Sequence, residues 1–171
     1  MSQITEQEIE NVQIAWGEGI VKIGEVFKAG GDYSATAADH IDKFYNYGAD
    51  RKGSVLFKPT LASKIQFRPT FEGALSYFVG GNINFPEDHG FAIKPWSNVE
   101  WESAGTHIIG NMAVAMGNYF FTIDGTSDKV KVEYSFSYTK IDKELKIILH
   151  GSHIPFYPKF IVEQSALTPV Q

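Results

Sequence analysis

Cysteine is missing from this sequence altogether. That excludes disulfides and any thiolate-ligated metal centre. Basic tracts are missing too: 15 Lys and Arg face 20 Asp and Glu, for a net charge of −5, so nucleic acid is not an expected partner. No apolar run approaches the ~20 residues of a membrane-spanning helix, and no membrane partner is expected. The opening Met1-Ser-Gln-Ile-Thr-Glu6 has neither the basic nor the apolar region of a secretory leader. The expected location is cytoplasmic.

What is present is apolar and aromatic. Hydrophobic residues make up 43% of the 171 positions and aromatics 14%. A chain of this length buries roughly 70% of its unfolded surface, and one domain spanning 1–171 is expected.

The first element is a helix. Thr5-x-x-Glu8 is a capping-box pattern. Ile9, Val12, Trp16, Ile20, Ile23 and Phe27 follow on one helical face, and Gly30-Gly31 stops the helix. Gly17, Gly19 and Gly24 inside it point to a close backbone approach or a bend. A second helix is predicted from Ser34 to Gly48, and a third from Phe71 to Val79, capped by Thr70 and stopped by Gly80-Gly81. Ser54 to Lys58 and Lys64 to Arg68 read as short strands. The period then changes to two, and the sheet is expected mainly over 91–154, with a long apolar strand region from His107 to Ile123. The Pro-rich stretch 155–171 reads as a surface tail. Helices first and antiparallel strands last is an α+β pattern.

The segment from Val130 to His153 reads as a hairpin turning at Asp142-Lys143. A two-residue or four-residue loop there sets Ser135 opposite His150, Glu133 opposite Ser152, Phe136 opposite Leu149 and Tyr138 opposite Ile147. One face then carries Val132, Tyr134, Phe136, Tyr138, Ile147 and Leu149. The other carries Glu133, Ser135, Ser137, Lys146, Ile148, His150 and Ser152. The aromatic face packs on the helices. The polar face is solvated, part of a subunit interface, or part of a cavity. Both faces of 112–122 are largely apolar, which implies a covered outer face, most simply by a second subunit.

Five stretches carry a family resemblance: Phe57-Lys-Pro-Thr60, Phe67-Arg-Pro69, Ala115-Met-Gly-Asn-Tyr-Phe-Phe-Thr122, Lys131-Val-Glu-Tyr134 and His150-Gly-Ser-His153 after Leu149. Together they resemble the NTF2-like superfamily, within it the SnoaL-like bacterial and algal set similar to the association domain of calcium/calmodulin-dependent kinase II. The resemblance covers roughly residues 5 to 157. It implies a cone of helices on a curved sheet, a homodimer or larger ring, and a deep pocket between sheet and helices. It does not imply a reaction. Related sequences tend to carry His-His-Ser-Ser where this chain has His150-Gly151-Ser152-His153.

Glu133 and His150 are the acid–base candidates, as diagonal neighbours on the polar face in the expected register. The competing reading is an ordinary solvated or interfacial sheet face. His150 and His153 are three apart on a strand and point to opposite faces, so they do not chelate one ion. The histidines at 40, 89, 107, 150 and 153 show no ligand spacing, and neither a metal nor a cofactor is expected. Lys58 and Arg68, each followed by proline, are candidates to hold an anionic group, or simple surface charges. Asn118 is a polar residue inside an apolar strand whose amide needs partners. Tyr77, Trp96, Tyr119, Tyr134 and Tyr138 are pocket aromatics or plain core, with Tyr45, Phe78 and Trp101 in the same group. Ser152 and His153 complete the candidate set.

The expected function is binding of a small molecule by a homo-oligomer. One alternative is a cofactor-free isomerase, dehydratase or cyclase. In it, Glu133 or His150 abstracts a proton and Asn118 or a tyrosine steadies the oxyanion. The other is an association module whose polar hairpin face builds the subunit interface. Which side of the hairpin is hollow is left open at this level.

Overall fold

A computed structural model describes residues 3–157; most of the expected tail, 158–171, lies outside the described residues. Three helices, α1 (Glu6–Lys28), α2 (Tyr33–Phe44) and α3 (Phe71–Val79), pack on a five-stranded sheet. Its strands are β1 (Leu56–Lys58), β2 (Trp96–Ile109), β3 (Met112–Ile123), β4 (Lys129–Ile141) and β5 (Glu144–His153), in the order β1-β5-β4-β3-β2. β1 runs parallel to β5 and the other pairs are antiparallel. The α+β expectation is met. No described helix is long and apolar enough to cross a membrane.

α1 begins where its capping box forms. The Thr5 side chain accepts from the Glu8 N–H, and the Glu8 carboxylate accepts from the Thr5 N–H. Ile9, Trp16, Ile20 and Ile23 are buried along one face. Two of the glycines have a packing reason. A Cβ on Gly17 would sit 2.9 Å from Cβ of Val99 in β2, and one on Gly19 would sit 2.2 Å from the His40 ring of α2. Both allow a partner to press on the helix backbone.

α2 ends at Phe44 rather than at Gly48. Tyr45 is already extended, with φ −106 and ψ 142. It bridges to Ile147 of β5, whose carbonyl accepts the Asn46 N–H at 3.0 Å. The sheet edge thus captures the chain before the helical pattern runs out. Lys64 to Arg68 is not a strand: the N–H groups of 63, 64 and 65 are bound by the Glu87 carboxylate and are unavailable to a ladder. The long apolar region is two strands, divided at Gly110-Asn111, where Gly110 has φ +63.

The concave face of the sheet is aromatic. Tyr119 and Phe121 of β3 and Tyr134, Phe136 and Tyr138 of β4 are buried there, and Tyr119, Phe121 and Phe136 pack against Trp16. On the convex face Met112, Val114 and Met116 are exposed.

The hairpin differs from its expected register in one consequential way. Asp142 and Lys143 both take positive φ, 48 and 72, as a two-residue hairpin loop requires. Pairing runs as expected from Ile141–Glu144 to Tyr138–Ile147. A bulge then follows, and Ser137 faces Leu149. Ile148 is the extra residue. Beyond it Phe136 faces His150, Tyr134 faces Ser152 and Glu133 faces His153. His150 and Ser152 therefore join the aromatic, concave face, while Glu133 stays on the convex one. Strict alternation, assumed over the whole strand, had put all three together.

Candidate functional site

The end of β5 brings His150 and Ser152 to the wide end of the concave face, beside β1 and the segment that follows it. His150 is stacked between Phe136 of β4 (ring centroids 4.2 Å) and Phe57 of β1 (4.9 Å). Both ring nitrogens are engaged. Nδ1 is 2.9 Å from the Tyr45 hydroxyl and Nε2 is 3.1 Å from the Tyr119 hydroxyl. Tyr119 also hydrogen-bonds Ser152 Oγ. Ser152 Oγ is 2.5 Å from Thr60 Oγ1. Behind Tyr45, the Trp16 indole N–H donates to its hydroxyl at 3.1 Å. One continuous polar chain thus runs Trp16–Tyr45–His150–Tyr119–Ser152–Thr60 through an otherwise apolar core.

The outer end of this chain opens into a cavity of about 10 Å³. Thr60, Tyr77, Tyr119, His150 and Ser152 are its polar lining, and Trp16, Phe57, Phe78 and Phe91 supply apolar wall. That is room for about one water molecule, so the cavity suits only the smallest molecules. Burial sets the electrostatics. It pushes the His150 imidazole down to about 3 and the Tyr77 hydroxyl up to about 12, and raises Tyr45 and Tyr119 well above the ordinary tyrosine range. At neutral pH every polar group of the lining is therefore uncharged. Among the described residues no group of three His, Asp or Glu side chains could hold a metal ion.

The mouth of the cavity is braced by a buried ion pair. Arg68 is fully buried, and its guanidinium meets Asp88 at 2.5 and 2.8 Å. It also donates to the carbonyls of Ile65 and Gly73, and the Ser76 hydroxyl donates to Asp88 at 2.6 Å. Next to it, Glu87 accepts the backbone N–H groups of Ser63, Lys64 and Ile65, and these bonds hold its carboxyl down at about 2. Together they fix the 61–70 loop against α3, and with it Thr60 and Tyr77; the Leu61 N–H donates to the Tyr77 hydroxyl at 3.4 Å.

The low Glu87 value has a testable consequence. A carboxyl whose folded pKa lies below its ordinary 4.5 stabilises the fold above that pH. The contribution is lost as pH falls from about 4.5 towards about 2. Glu87→Gln is expected to be less stable than the parent at pH ~6, with a distinctly smaller gap at pH ~3. Urea unfolding at the two pH values measures this; a gap that is unchanged by pH would contradict it.

The structure separates the sequence candidates. His150, Ser152, Tyr119 and Tyr77 converge on the cavity. Tyr134 and Tyr138 are buried on the same face but outside its lining: Tyr134 packs on Tyr119 and Trp101, and Tyr138 accepts from Gln13. Trp96 spends its indole N–H on the Phe91 carbonyl at 2.8 Å. Arg68 does not face the cavity, because Asp88 occupies its guanidinium. Lys58 lies at the Gly151 position of the β1–β5 pair and reaches the Ser152 carbonyl at 3.5 Å from outside. Glu133, Asn118 and His153 are on the convex face, where Asn118 donates to Glu102 at 2.8 Å and Glu133 faces His153. The bulge at Ile148 thus parts Glu133 from His150, so these two do not form an acid–base pair. Gly151 also points to the convex face, so a histidine in its place would not reach the cavity. Thr60 and Trp16 were not singled out as site residues, and Tyr45 was named only among the aromatics of pocket or core. Thr60 was visible only as the last residue of Phe57-Lys-Pro-Thr60.

Comparison with known proteins identifies the fold and the family. In solved structures, the chain superposes on an NTF2-like protein of unknown function from Pseudomonas putida KT2440 with a TM-score of 0.53 at 14% identity, over 93% of this chain and 94% of that one. It also superposes on a protein assigned to the calcium/calmodulin-dependent kinase II association domains, from Xanthomonas campestris, with a TM-score of 0.58 at 19% identity, over 91% and 95% of the two chains. These likenesses establish the NTF2-like fold. A cyanobacterial iota-carbonic anhydrase, solved in complex with bicarbonate, is 41% identical with a TM-score of 0.85, over 91% of this chain and 94% of that one. A metal-independent carbonic anhydrase of Nostoc sp. strain PCC 7120 is 44% identical over 157 residues, 90% of this chain and 75% of its own length. The family profile described as metal-independent carbonic anhydrase matches residues 7–154. The chain therefore belongs to the metal-independent carbonic anhydrase family, within the NTF2-like fold.

Proposed function

We propose that this protein interconverts carbon dioxide and bicarbonate in the cavity bounded by Thr60, Tyr77, Tyr119, His150 and Ser152. The observation that carries the reading is the lining itself: a small, partly apolar chamber with a neutral imidazole and four hydroxyls at one end. The apolar wall suits carbon dioxide. When water adds to its carbon, a new C–O bond forms and one C=O electron pair moves to oxygen. The Tyr77 hydroxyl, at the end of the hydrogen-bonded run through Ser152 and Thr60, is placed to donate to that oxygen. Preorganised donors in a water-poor site favour such a developing charge. The proton of the added water leaves to solvent at the mouth. His150, with its pKa near 3, is a poor store for that proton; it serves as a neutral hydrogen-bonding group that polarises Tyr119. No cation lines the cavity, so bicarbonate is held by neutral donors alone, which favours its release.

The bicarbonate-bound relative supports the choice of substrate, and its 41% identity over most of both chains supports the transfer to this protein. The earlier alternatives are less well supported. Proton abstraction by Glu133 with His150 loses its geometry, and a purely associative role leaves the polar chain at the cavity without a use. Stopped-flow hydration of carbon dioxide, with metal content measured on the same sample and a chelator present, tests the proposal. Catalysis proportional to protein and indifferent to chelator is expected; no rate above buffer would overturn it.

We further propose that a second copy of the chain covers the convex face, where Met112, Val114 and Met116 form an exposed apolar stripe. Light scattering should give about twice the 19.1 kDa chain mass, and Met116→Lys should shift the mass towards the monomer. A monomeric parent protein would contradict it.

A further inference from the structure

The polar chain ends inward on Trp16, and that end determines its direction. An indole N–H only donates, a tyrosine hydroxyl donates once and accepts twice, and a neutral imidazole has one donor nitrogen and one acceptor. Tyr45 is 2% exposed, and its hydroxyl meets two groups: the Trp16 N–H at 3.1 Å and His150 Nδ1 at 2.9 Å. Trp16 occupies one acceptor site on the Tyr45 oxygen. The hydroxyl proton then has one available acceptor, Nδ1. If Nδ1 carried a proton, Tyr45 would lie between two donors with its own proton buried and unpaired. Such a loss favours the other arrangement by about tenfold or more.

We infer that Trp16, acting through Tyr45, holds His150 as the Nε2–H tautomer and so points every hydroxyl of the chain towards the cavity. His150 Nε2–H donates to the Tyr119 oxygen. The Tyr119 hydroxyl then donates to Ser152 Oγ, and Ser152 donates to Thr60 Oγ1. Thr60 donates in turn to the Tyr77 oxygen, so the Tyr77 hydroxyl proton is the one left for a ligand oxygen. The opposite tautomer would reverse each bond and present lone pairs where the developing negative charge needs donors. Trp16 and Tyr45 are positioning residues on this reading: they act on the reaction through His150 and Tyr119.

The fold supports a fixed relay. His150 is 3% exposed and clamped between Phe57 and Phe136, with interplanar angles of 13° and 20°. Trp16 is 2% exposed and meets the His150 ring edge-on at 5.7 Å. Ring rotation is therefore blocked, and the tautomer is decided by hydrogen bonding alone.

The inference rests on the proposed carbon dioxide site for its catalytic meaning, but its direct readout does not need activity. Selective ¹⁵N-histidine labelling, with the His150 resonances assigned from His150→Gln, reads the tautomer in the full chain. The parent protein should show Nε2 in the protonated range and Nδ1 in the unprotonated range. A protonated Nδ1 would overturn the inference outright. Replacing Trp16 alone with benzothienylalanine keeps its shape and removes the N–H; Trp16→Phe is the genetically encoded companion. Either should give a mixture of tautomers and a fall in kcat that matches the lost Nε2–H fraction, about twofold for an even mixture, with KM for carbon dioxide little changed. A folded variant that keeps the pure Nε2–H tautomer and the parental kcat would also overturn it. If the parent is inactive but the tautomer is as stated, it is the proposed function that fails and the directed chain stands.

Discussion

Ser152→Ala is expected to lower kcat for carbon dioxide hydration by about 10²–10³-fold, the usual cost of losing one preorganised donor at a developing oxyanion, because it cuts the run of hydroxyls that orients that donor. Ser152 sits at the junction of the chain, bonded to Tyr119 on one side and to Thr60 at 2.5 Å on the other. Its removal uncouples Thr60, and through it Tyr77, from the imidazole. Thr60→Val should therefore cost a similar factor, and the double variant little more than either single one, because the two hydroxyls work as a unit. Stability should change by only about 1–3 kcal/mol, the cost of leaving the Tyr119 hydroxyl short of a partner in a buried place. Steady-state hydration assays with urea unfolding on the same samples separate the two effects. A Ser152→Ala protein with parental kcat would remove this residue from the site.

Asp88→Ala is expected to cost about 3–5 kcal/mol, because it strands a buried charge. Arg68 and Asp88 side chains are both fully buried, and the carboxylate makes two contacts to the guanidinium and one to Ser76. Glu87 lies 3.9 Å from the guanidinium and is bound to the 63–65 backbone, so it would have to leave those amides to replace Asp88. The 61–70 loop and the cavity mouth should loosen together, and kcat should fall with stability. Arg68→Met/Asp88→Leu, which removes both charges, should recover much of the loss. Denaturant unfolding of the three proteins measures the difference. A loss under about 1 kcal/mol for Asp88→Ala would mean that the pair is not what holds the mouth.

The sheet face, the helices and the hairpin turn were legible in the chain because each is a local pattern. The Thr5–Glu8 capping box, the 3.6-residue stripe from Ile9 to Ile23 and the period-two run through Val132 to Tyr138 are written in neighbouring residues. The site was less legible because it depends on departures from those patterns. Ile148 bulges out of β5, and that single extra residue moves His150 and Ser152 from the face of Glu133 to the face of Phe136. Nothing in the alternation announces it, since Leu149 reads as well inward as Ile147. Tyr45 was hidden in a helical run that the sheet edge cuts short. Arg68, beside a proline and 20 residues from Asp88 in sequence, gave no sign of that partner, because their meeting is made by the turn after α3. His150, Ser152, Tyr119 and Tyr77 were nevertheless within reach as residue types: an imidazole and hydroxyls among aromatics.

The most direct test of the central claim is loss of ¹⁸O from labelled carbon dioxide at chemical equilibrium, followed by membrane-inlet mass spectrometry. It reads the interconversion itself, independent of how the proton reaches buffer. Metal-depleted parent protein should accelerate the loss in proportion to its concentration, and Ser152→Ala and Thr60→Val should each reduce that acceleration by about 10²-fold or more. Equal acceleration by the parent and both variants would contradict the assignment of the reaction to this cavity.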